Sequence, residues 1–268
     1  MFIRVFLCTM IKEMPRLRWS LILLAGSLFG QTGDPTLAAI RDYARNYVEN
    51  LPNYTATQFI KRKLKSAPAP QLPPQTQTDQ IEEQIGYVNH QESHKILRFN
   101  GRVMGDQSPV RTEGIFSTGE FGGLLETLSS EDIGATFQPA KQEKVNGKRV
   151  DVFEFHIPAL PAGYGIKEAG RTTLVAFTGR IYADAESHAV LRIQFHCIDF
   201  PVALRYKSLE MELDFAPAKV GGEEFVLPAR YVLKSSSDSA ENSVEATYRN
   251  YQKFGADSTI IFDGAGEP

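Results

Sequence analysis

The histidine and cysteine residues are the first candidates for chemistry in this chain. His90 and His94 are four residues apart, a spacing that binds zinc when both side chains lie on one face of a helix. Their surroundings are typical of a turn and a strand start, where this spacing separates them by roughly 13 Å, so we interpret them as surface histidines. His196 and Cys197 are adjacent on a strand and point to opposite faces, which leaves Cys197 as a core thiol. The sequence predicts no metal site.

Acidic residues and glycine motifs are the other candidates. Glu210, Glu212 and Asp214 share one face of a strand, whereas a glycosidase needs two carboxylates opposed across a cleft. We interpret them as a solvated surface that resists aggregation. The sequence has no G-x-S-x-G, S-x-x-K or H-E-x-x-H motif, and residues 163–165 lack the setting of a nucleotide-binding loop and are interpreted as a flexible loop. We therefore predict a non-enzymatic protein without a catalytic residue or a cofactor.

Residues 1–30 are typical of a secretory signal. Basic residues come first: Lys12, Arg16 and Arg18. The apolar segment 19–29 follows and is too short to span a bilayer comfortably. We predict cleavage after Gly30, with Met14 as an alternative start and an uncleaved anchor as the alternative reading. Export would place the protein in the periplasm or the cell envelope.

Cleavage changes both the charge and the cysteine content. It removes four basic residues and one acidic residue, so the net charge moves from −3 to −6. An acidic surface does not attract nucleic acid, and no nucleic-acid partner is predicted. Cys8 lies in the leader after the large residue Leu7, which does not fit a lipid-attachment signal. Only Cys197 then remains, so the exported chain has no intrachain disulfide and relies on a large core or on a partner.

Two segments have helical patterns. Residues 34–51 begin with Asp34 as N-cap and Pro35 at the first helical position. Their apolar stripe is Leu37, Ile40, Tyr43, Ala44, Tyr47, Val48 and Leu51. A short second helix is predicted over residues 119–128, with apolar residues at helical spacing: Phe121, Leu124, Leu125 and Leu128.

The rest of the single domain, residues 31–268, is predicted to be β-rich. A Pro/Gln-rich flexible loop occupies residues 66–78, and Asn146-Gly147 indicates a hairpin. The predicted strands are 54–64, 81–88, 93–99, 136–145, 148–157, 173–182, 189–198, 205–215, 224–234 and 243–254, with 258–262 as a further one. Short connections between them favour an antiparallel meander.

Alternation within these strands indicates one apolar and one polar face, and the apolar face is larger than two helices can cover. A second sheet, a bound apolar ligand or a partner would have to bury the remainder. If a ligand does, the candidate ligand-binding residues are Val175, Phe177, Ile181, Leu191, Ile193, Phe195, Met211, Leu213 and Phe215. The candidate helical lid is Leu37, Ile40, Tyr47, Phe121, Leu124 and Leu125.

One strand pair adds a family resemblance. Residues 179–184 read Gly-Arg-Ile-Tyr-Ala-Asp, and residues 190–192 read Val-Leu-Arg. With the signal, the first helix, the meander and the helical interruption, this order resembles the periplasmic lipoprotein carriers of the LolA/LolB-like superfamily. The resemblance implies a sheet curled into a half-barrel that holds acyl chains, but it carries over no individual functional residue.

The predicted function is therefore an exported protein that holds an apolar ligand in a curved sheet. Its partner would be a lipid or an acylated protein, while peripheral membrane contact and the oligomeric state stay open. Two alternatives remain: a structural or interaction module built as a closed sandwich, and an enzyme with scattered catalytic residues.

Overall fold

The computed structural model describes residues 3–4, 33–66, 73–105, 115–116, 121–168 and 171–254. The helices in these ranges are α1 (Pro35–Asn50) and α2 (Gly123–Ser129). The strands are β1 (Ile3–Arg4), β2 (Tyr54–Ser66), β3 (Thr76–Val88), β4 (Gln91–Phe99), β5 (Arg102–Val103), β6 (Ile115–Phe116), β7 (Thr136–Pro139), β8 (Glu143–Val145), β9 (Lys148–Ile157), β10 (Tyr164–Glu168), β11 (Arg171–Val175), β12 (Phe177–Asp184), β13 (Val190–Cys197), β14 (Tyr206–Val220), β15 (Glu223–Ser237) and β16 (Ala240–Lys253).

Twelve of these strands form one antiparallel sheet. Their order is β5-β4-β3-β2-β16-β15-β14-β13-β12-β9-β7, with β8 also paired to β9. The sheet does not close on itself and is curled into a half-barrel, which confirms the predicted fold class. β10 and β11 form a separate two-stranded sheet, and β1 pairs with β6 in parallel.

One face of the sheet carries the core. A row of directly opposite residues crosses seven strands: Ile181, Ile193, Leu213, Tyr231, Ala246, Ile60 and Ile81. All are buried, and they share one apolar cluster with residues of α1, α2 and β10. We call this side the concave face, because the covering elements pack against it.

The first helix forms as the sequence predicts. The Asp34 carboxylate accepts hydrogen bonds from the backbone N–H groups of Thr36 and Leu37, at 2.9 and 3.4 Å. The helix ends at Asn50, two residues before Pro52. The second helix begins at Gly123, later than predicted, and residues 119–120 of the predicted helix lie outside the described residues.

Two predicted strands are divided in the structure. Ala176 separates β11 from β12, because β11 leaves the large sheet to pair with β10. The interpretation of residues 163–165 as a flexible loop was therefore wrong at Tyr164 and Gly165, which belong to β10. The predicted strand 136–145 is likewise two strands, β7 and β8, and both pair with β9.

The predicted loop 66–78 is shorter in the structure. Ser66 still belongs to β2, and β3 begins at Thr76, where the proline residues end and the backbone N–H groups can join the ladder. The Ser66 N–H donates to the Gln75 carbonyl at 2.9 Å. Residues 67–72 and the predicted strand 258–262 lie outside the described residues.

Candidate ligand-binding face

The concave face of β9, β12, β13 and β14 is built from aromatic and aliphatic side chains, and we call it the phenylalanine half. Phe177 is central, with ring centroids 5.8 Å from Phe155 and 5.2 Å from Phe195. Tyr164 of β10 packs on the same group, 4.9 Å from Phe195. These edge-on and tilted contacts are favourable aromatic geometries and produce a continuous apolar surface.

A glycine in β12 allows the neighbouring strands and their aromatic rings to pack closely. Gly179 lies directly between Phe155 of β9 and Phe195 of β13 in the strand register. A Cβ at Gly179 would lie 2.7 Å from the Phe195 Cα, which is closer than atoms can approach. The position therefore requires glycine, and the flanking rings cover the gap that it leaves.

Seven of the nine predicted ligand-binding residues lie together on this face, and Val175 of β11 is buried in the same core from the covering hairpin. Eight are buried in the main core cluster: Val175, Phe177, Ile181, Ile193, Phe195, Met211, Leu213 and Phe215. Leu191 does not join them. The register shifts where Tyr182 pairs with Arg192 and Ala183 pairs with Val190, so Leu191 is an extra bulge residue and packs in a second cluster with Val152 and Tyr182.

The predicted lid residues also lie against the concave face. Ile40, Tyr47, Phe121, Leu124 and Leu125 are buried in the main core, and Leu37 packs against it half-buried. A third covering element, the β10–β11 hairpin, was not predicted from the sequence. It adds buried Tyr164 and Ile166, and the Tyr164 hydroxyl lies 4.0 Å from the Met211 sulfur. The alternating segment of Tyr164, Ile166 and Lys167-Glu168 is too short to indicate a strand clearly. The two glycines beside Tyr164 favoured the interpretation as a loop.

The thiol of Cys197 lies at its predicted core position. Cys197 is buried on the phenylalanine half, at the register position opposite Phe177. Burial raises the pKa of the Cys197 thiol to about 12, so the group stays protonated and unreactive at neutral pH.

The concave face of β2, β3, β4 and β16 is different, and we call it the tyrosine half. The Tyr54 ring stacks on Tyr87 at 5.2 Å and meets Tyr251 edge-on at 5.6 Å. Phe121, just before α2, packs edge-on against Tyr248 at 5.1 Å. Tyr251 reaches the same face as Tyr248 because a register shift follows Arg249 in β16.

Three ionisable residues lie inside the tyrosine half. His94 lies between two carboxylates: its Nδ1 is 3.4 Å from Glu83 Oε2 and its Nε2 is 3.5 Å from Glu92 Oε2. Only 9% of the His94 side chain is exposed, with 14% for Glu83 and 12% for Glu92. Burial opposes the charge of His94, but both carboxylates outweigh it and raise the pKa of His94 to about 10. The interpretation of His94 as a surface residue was therefore wrong.

A buried ion pair lies on the same side. Arg62 of β2 pairs with Asp79 of β3, and their side chains are only 1% and 3% exposed. Asp79 also accepts hydrogen bonds from Asn100 at 3.0 Å and Gln77 at 3.2 Å. Burial alone would raise the pKa of Asp79, but these donors lower it below its ordinary value, so it is ionised at neutral pH.

The sequence contained a signal for these buried charges. Ile81, Glu83, Ile85 and Tyr87 alternate along β3, so Glu83 shares the face of its apolar neighbours. Gln58, Ile60 and Arg62 do the same in β2, and the buried Gln58 amide donates to the Tyr248 hydroxyl at 3.1 Å.

The opposite face of the sheet carries charged ladders and open grooves. The larger groove, about 710 Å³, is lined by residues such as Arg180, Gln194 and Glu212. Of the predicted acidic surface, Asp214 accepts a hydrogen bond from Arg192 at 2.6 Å. Glu212 and Asp214 pair with Arg192 and Arg230 on this face of one strand, and they do not face each other across a cleft.

The described residues contain neither a metal-binding cluster nor a membrane-spanning helix. No group of three histidine, cysteine or acidic side chains there is arranged to hold a metal ion. Neither α1 nor α2 has the length and the apolar run of a membrane-spanning helix.

Comparison with solved structures finds several proteins to which this chain is similar, one of them described as a LolA superfamily protein. A LolA superfamily protein from Nitrosomonas europaea matches with 12% identity over 81% of this chain and 93% of its own, at a TM-score of 0.33. The lipoprotein LppX from Mycobacterium tuberculosis matches with 11% identity over 82% and 96%, at 0.28. A DUF1329 family protein from Desulfovibrio piger matches with 11% identity over 83% and 95%, at 0.32.

No family model and no curated protein matches the sequence. Because TM-scores of this size mean loosely superposed backbones, we base the function on the residues of this chain.

Proposed function

We propose that this chain is an exported, non-enzymatic binding protein that holds acyl chains of a lipid or of an acylated protein against the phenylalanine half. The observation that carries the proposal is the apolar surface around Phe177, which extends over four strands and presents side chains without charge. Such a surface suits an apolar ligand, for which burial contributes roughly 25 cal/mol per Å².

The elements that cover this surface can separate from it. α1, α2 and the β10–β11 hairpin contact the large sheet through side chains, and they lie outside its hydrogen-bonded ladder. Moving them would therefore leave the twelve-stranded sheet paired. An acyl chain could then replace the apolar contacts of Tyr164 or Leu124 with contacts of its own.

The amino-terminal segment supports the same idea. β1 lies against β10, and it belongs to the segment that the sequence predicts to be cleaved. Cleavage after Gly30 would remove β1 and leave β10 with fewer neighbours. The exported form would then have a more accessible concave face, in the periplasm or the cell envelope.

The first experiment examines the native protein for its ligand. Protein purified after export would be extracted with organic solvent, the extract analysed by mass spectrometry, and the stripped protein mixed with a fluorescent fatty acid. We expect copurified acylated molecules and saturable rebinding.

A second experiment locates the ligand. The single tryptophan, Trp19, lies in the predicted leader, so an exported chain has none. Met211→Trp would place a reporter on the phenylalanine half, and Leu37→Trp would place one on the lid with less risk to packing. A brominated fatty acid should quench both, and should quench much less the control Val103→Trp, whose native side chain is 70% exposed on the edge strand β5. Absence of copurified lipid, rebinding and quenching together would favour the interaction-module alternative.

A further inference from the structure

The tyrosine half has buried polar groups that an acyl-chain surface does not need. Tyr54, Tyr87 and Glu92 are direct neighbours on three adjacent strands, so the two phenols and the carboxylate form one row. His94 lies two residues further along β4 than Glu92 and opposite Ile85, and Glu83 lies two residues beyond Ile85 in β3. Burying such groups costs free energy unless each finds a partner.

Two of the tyrosine hydroxyls lack that partner. Tyr54 is fully buried and Tyr47 almost so, and neither hydroxyl has a hydrogen-bond partner within the described part of the chain. Both hydroxyls lie close enough to Glu92 for its charge to raise their pKa, in addition to the larger effect of burial. Both hydroxyls therefore lie near the same carboxylate and keep unused hydrogen-bonding capacity.

Among the described residues, the carboxylates around this row outnumber the cation that pairs with them. Glu83, Glu92 and Glu126 contribute three carboxylates, since Glu126 of α2 also raises the pKa of Tyr87. The protonated His94 is the cation paired with two of them. The aromatic faces of Tyr54 and Tyr87 add the negative potential of their rings, which attracts ammonium groups.

Phe121 of the same chain occupies this row with two kinds of contact. The backbone N–H of Phe121 donates to Glu92 Oε1 at 3.2 Å, while the Phe121 ring lies among Tyr54, Tyr87, Tyr248 and Tyr251. An N–H donor on the carboxylate and a group enclosed by aromatic rings are the two contacts that an alkylammonium group would make.

We infer that the row of Tyr54, Tyr87 and Glu92 is a subsite for an ammonium-bearing headgroup, whose acyl chains extend onto the phenylalanine half. This inference rests on the proposed function. The ammonium group replaces Phe121 at Glu92, and the spare hydroxyls of Tyr47 and Tyr54 donate to oxygen atoms of the headgroup. The structure thereby assigns a polar end and an apolar end to one ligand.

The experiment compares two lipids with identical chains. Calorimetric titration of the exported protein with dihexanoyl phosphatidylcholine and with dihexanoyl phosphatidylglycerol, both below their micelle concentrations, isolates the headgroup. We expect the choline lipid to bind about tenfold more tightly. Equal affinities would overturn the headgroup subsite and leave the acyl-binding proposal standing, whereas no binding of either lipid would overturn both.

Variants test the assigned residues. Glu92→Gln should abolish the preference for the choline lipid, and Glu212→Gln, an equal loss of charge on the opposite face, should retain it. If Glu92→Gln does not fold, Tyr54→Phe serves instead, because it removes only a hydroxyl that has no partner. We expect Tyr54→Phe to be no less stable than the parent and to bind the choline lipid about fivefold more weakly. Unchanged binding by Tyr54→Phe would overturn the role of the hydroxyl.

Free choline distinguishes the source of the ammonium group. If the protein binds choline at least tenfold more weakly than the choline lipid, the result supports a headgroup whose binding depends on its acyl chains. Binding of choline as tight as that of the lipid would keep the ammonium site but overturn its link to the acyl surface.

Discussion

The two halves of the concave face share one sheet and one strand pattern, yet they use opposite chemistry. Around Phe177 the inward positions hold rings and aliphatic chains, whereas around Tyr54 they hold hydroxyls, carboxylates, an imidazole and an ion pair. An apolar surface can pack against many apolar ligands, whereas a buried polar surface is stable only when each polar group has a hydrogen-bond or ion-pair partner. This difference in chemistry is the basis for proposing an amphiphilic ligand and not a wholly apolar one.

The largest expected effect tests the buried pair of the tyrosine half. Asp79→Asn leaves Arg62 buried beside a neutral group, and we expect the free energy of unfolding to fall by about 3–5 kcal/mol in urea denaturation. The double variant Arg62→Met/Asp79→Leu should recover most of this loss, because it converts the site to the chemistry of the other half. A double variant as unstable as the single one would break the comparison.

The next effect concerns pH and His94. The folded pKa of about 10 exceeds the ordinary 6.5, so the charged form stabilises the fold fully below pH 6.5, and this stabilisation is lost as the pH rises through about 10. Over this window we expect the parent to lose on the order of 2–4 kcal/mol more than His94→Gln, measured by urea unfolding. His196→Gln, on the solvated face, should keep the parent's dependence; equal curves for the parent and His94→Gln would contradict the buried cluster.

Glycine substitutions sharpen the contrast between tight and adaptable packing. Gly179→Ala places a methyl group against the backbone of β13, and we expect a loss of about 1–3 kcal/mol or more. Gly86→Ala, next to the tyrosine half, meets only the Ser93 Oγ at 2.7 Å, a side chain that can rotate away. In thermal unfolding, we expect the Tm of Gly86→Ala to be clearly higher than the Tm of Gly179→Ala.

The smallest effect comes from the opposite face. Arg180 and Glu154 pair at 2.7 Å, but about half of each side chain is exposed. Arg180→Ala should therefore change the free energy of unfolding by about 0–1 kcal/mol, with a difference that disappears in 1 M salt. A larger loss would mean that this face also contributes to the core.

The sequence predicts the half-barrel and most of its apolar face, because side-chain alternation has a fixed period of two. It does not predict which strands bend, so Leu191 is displaced by a bulge and β11 leaves the sheet at Ala176. The buried charges were missed for another reason. Glu83, Glu92 and His94 are largely buried because they pair with one another across the β3–β4 hairpin, and alternation alone does not indicate that a polar residue on the apolar face will find such a partner.

The pairing of β2 with β16 in the sheet affects when the chain can fold. Their ladder joins residues about 190 positions apart, as in the bond between Gln58 and Tyr248. Because this pairing requires the last strand, the sheet cannot be completed while the chain is still emerging, and contacts of such sequence separation form slowly. In the export that we propose, the polypeptide would therefore still be unfolded during translocation, and the sheet would assemble only after β16 is available to pair with β2.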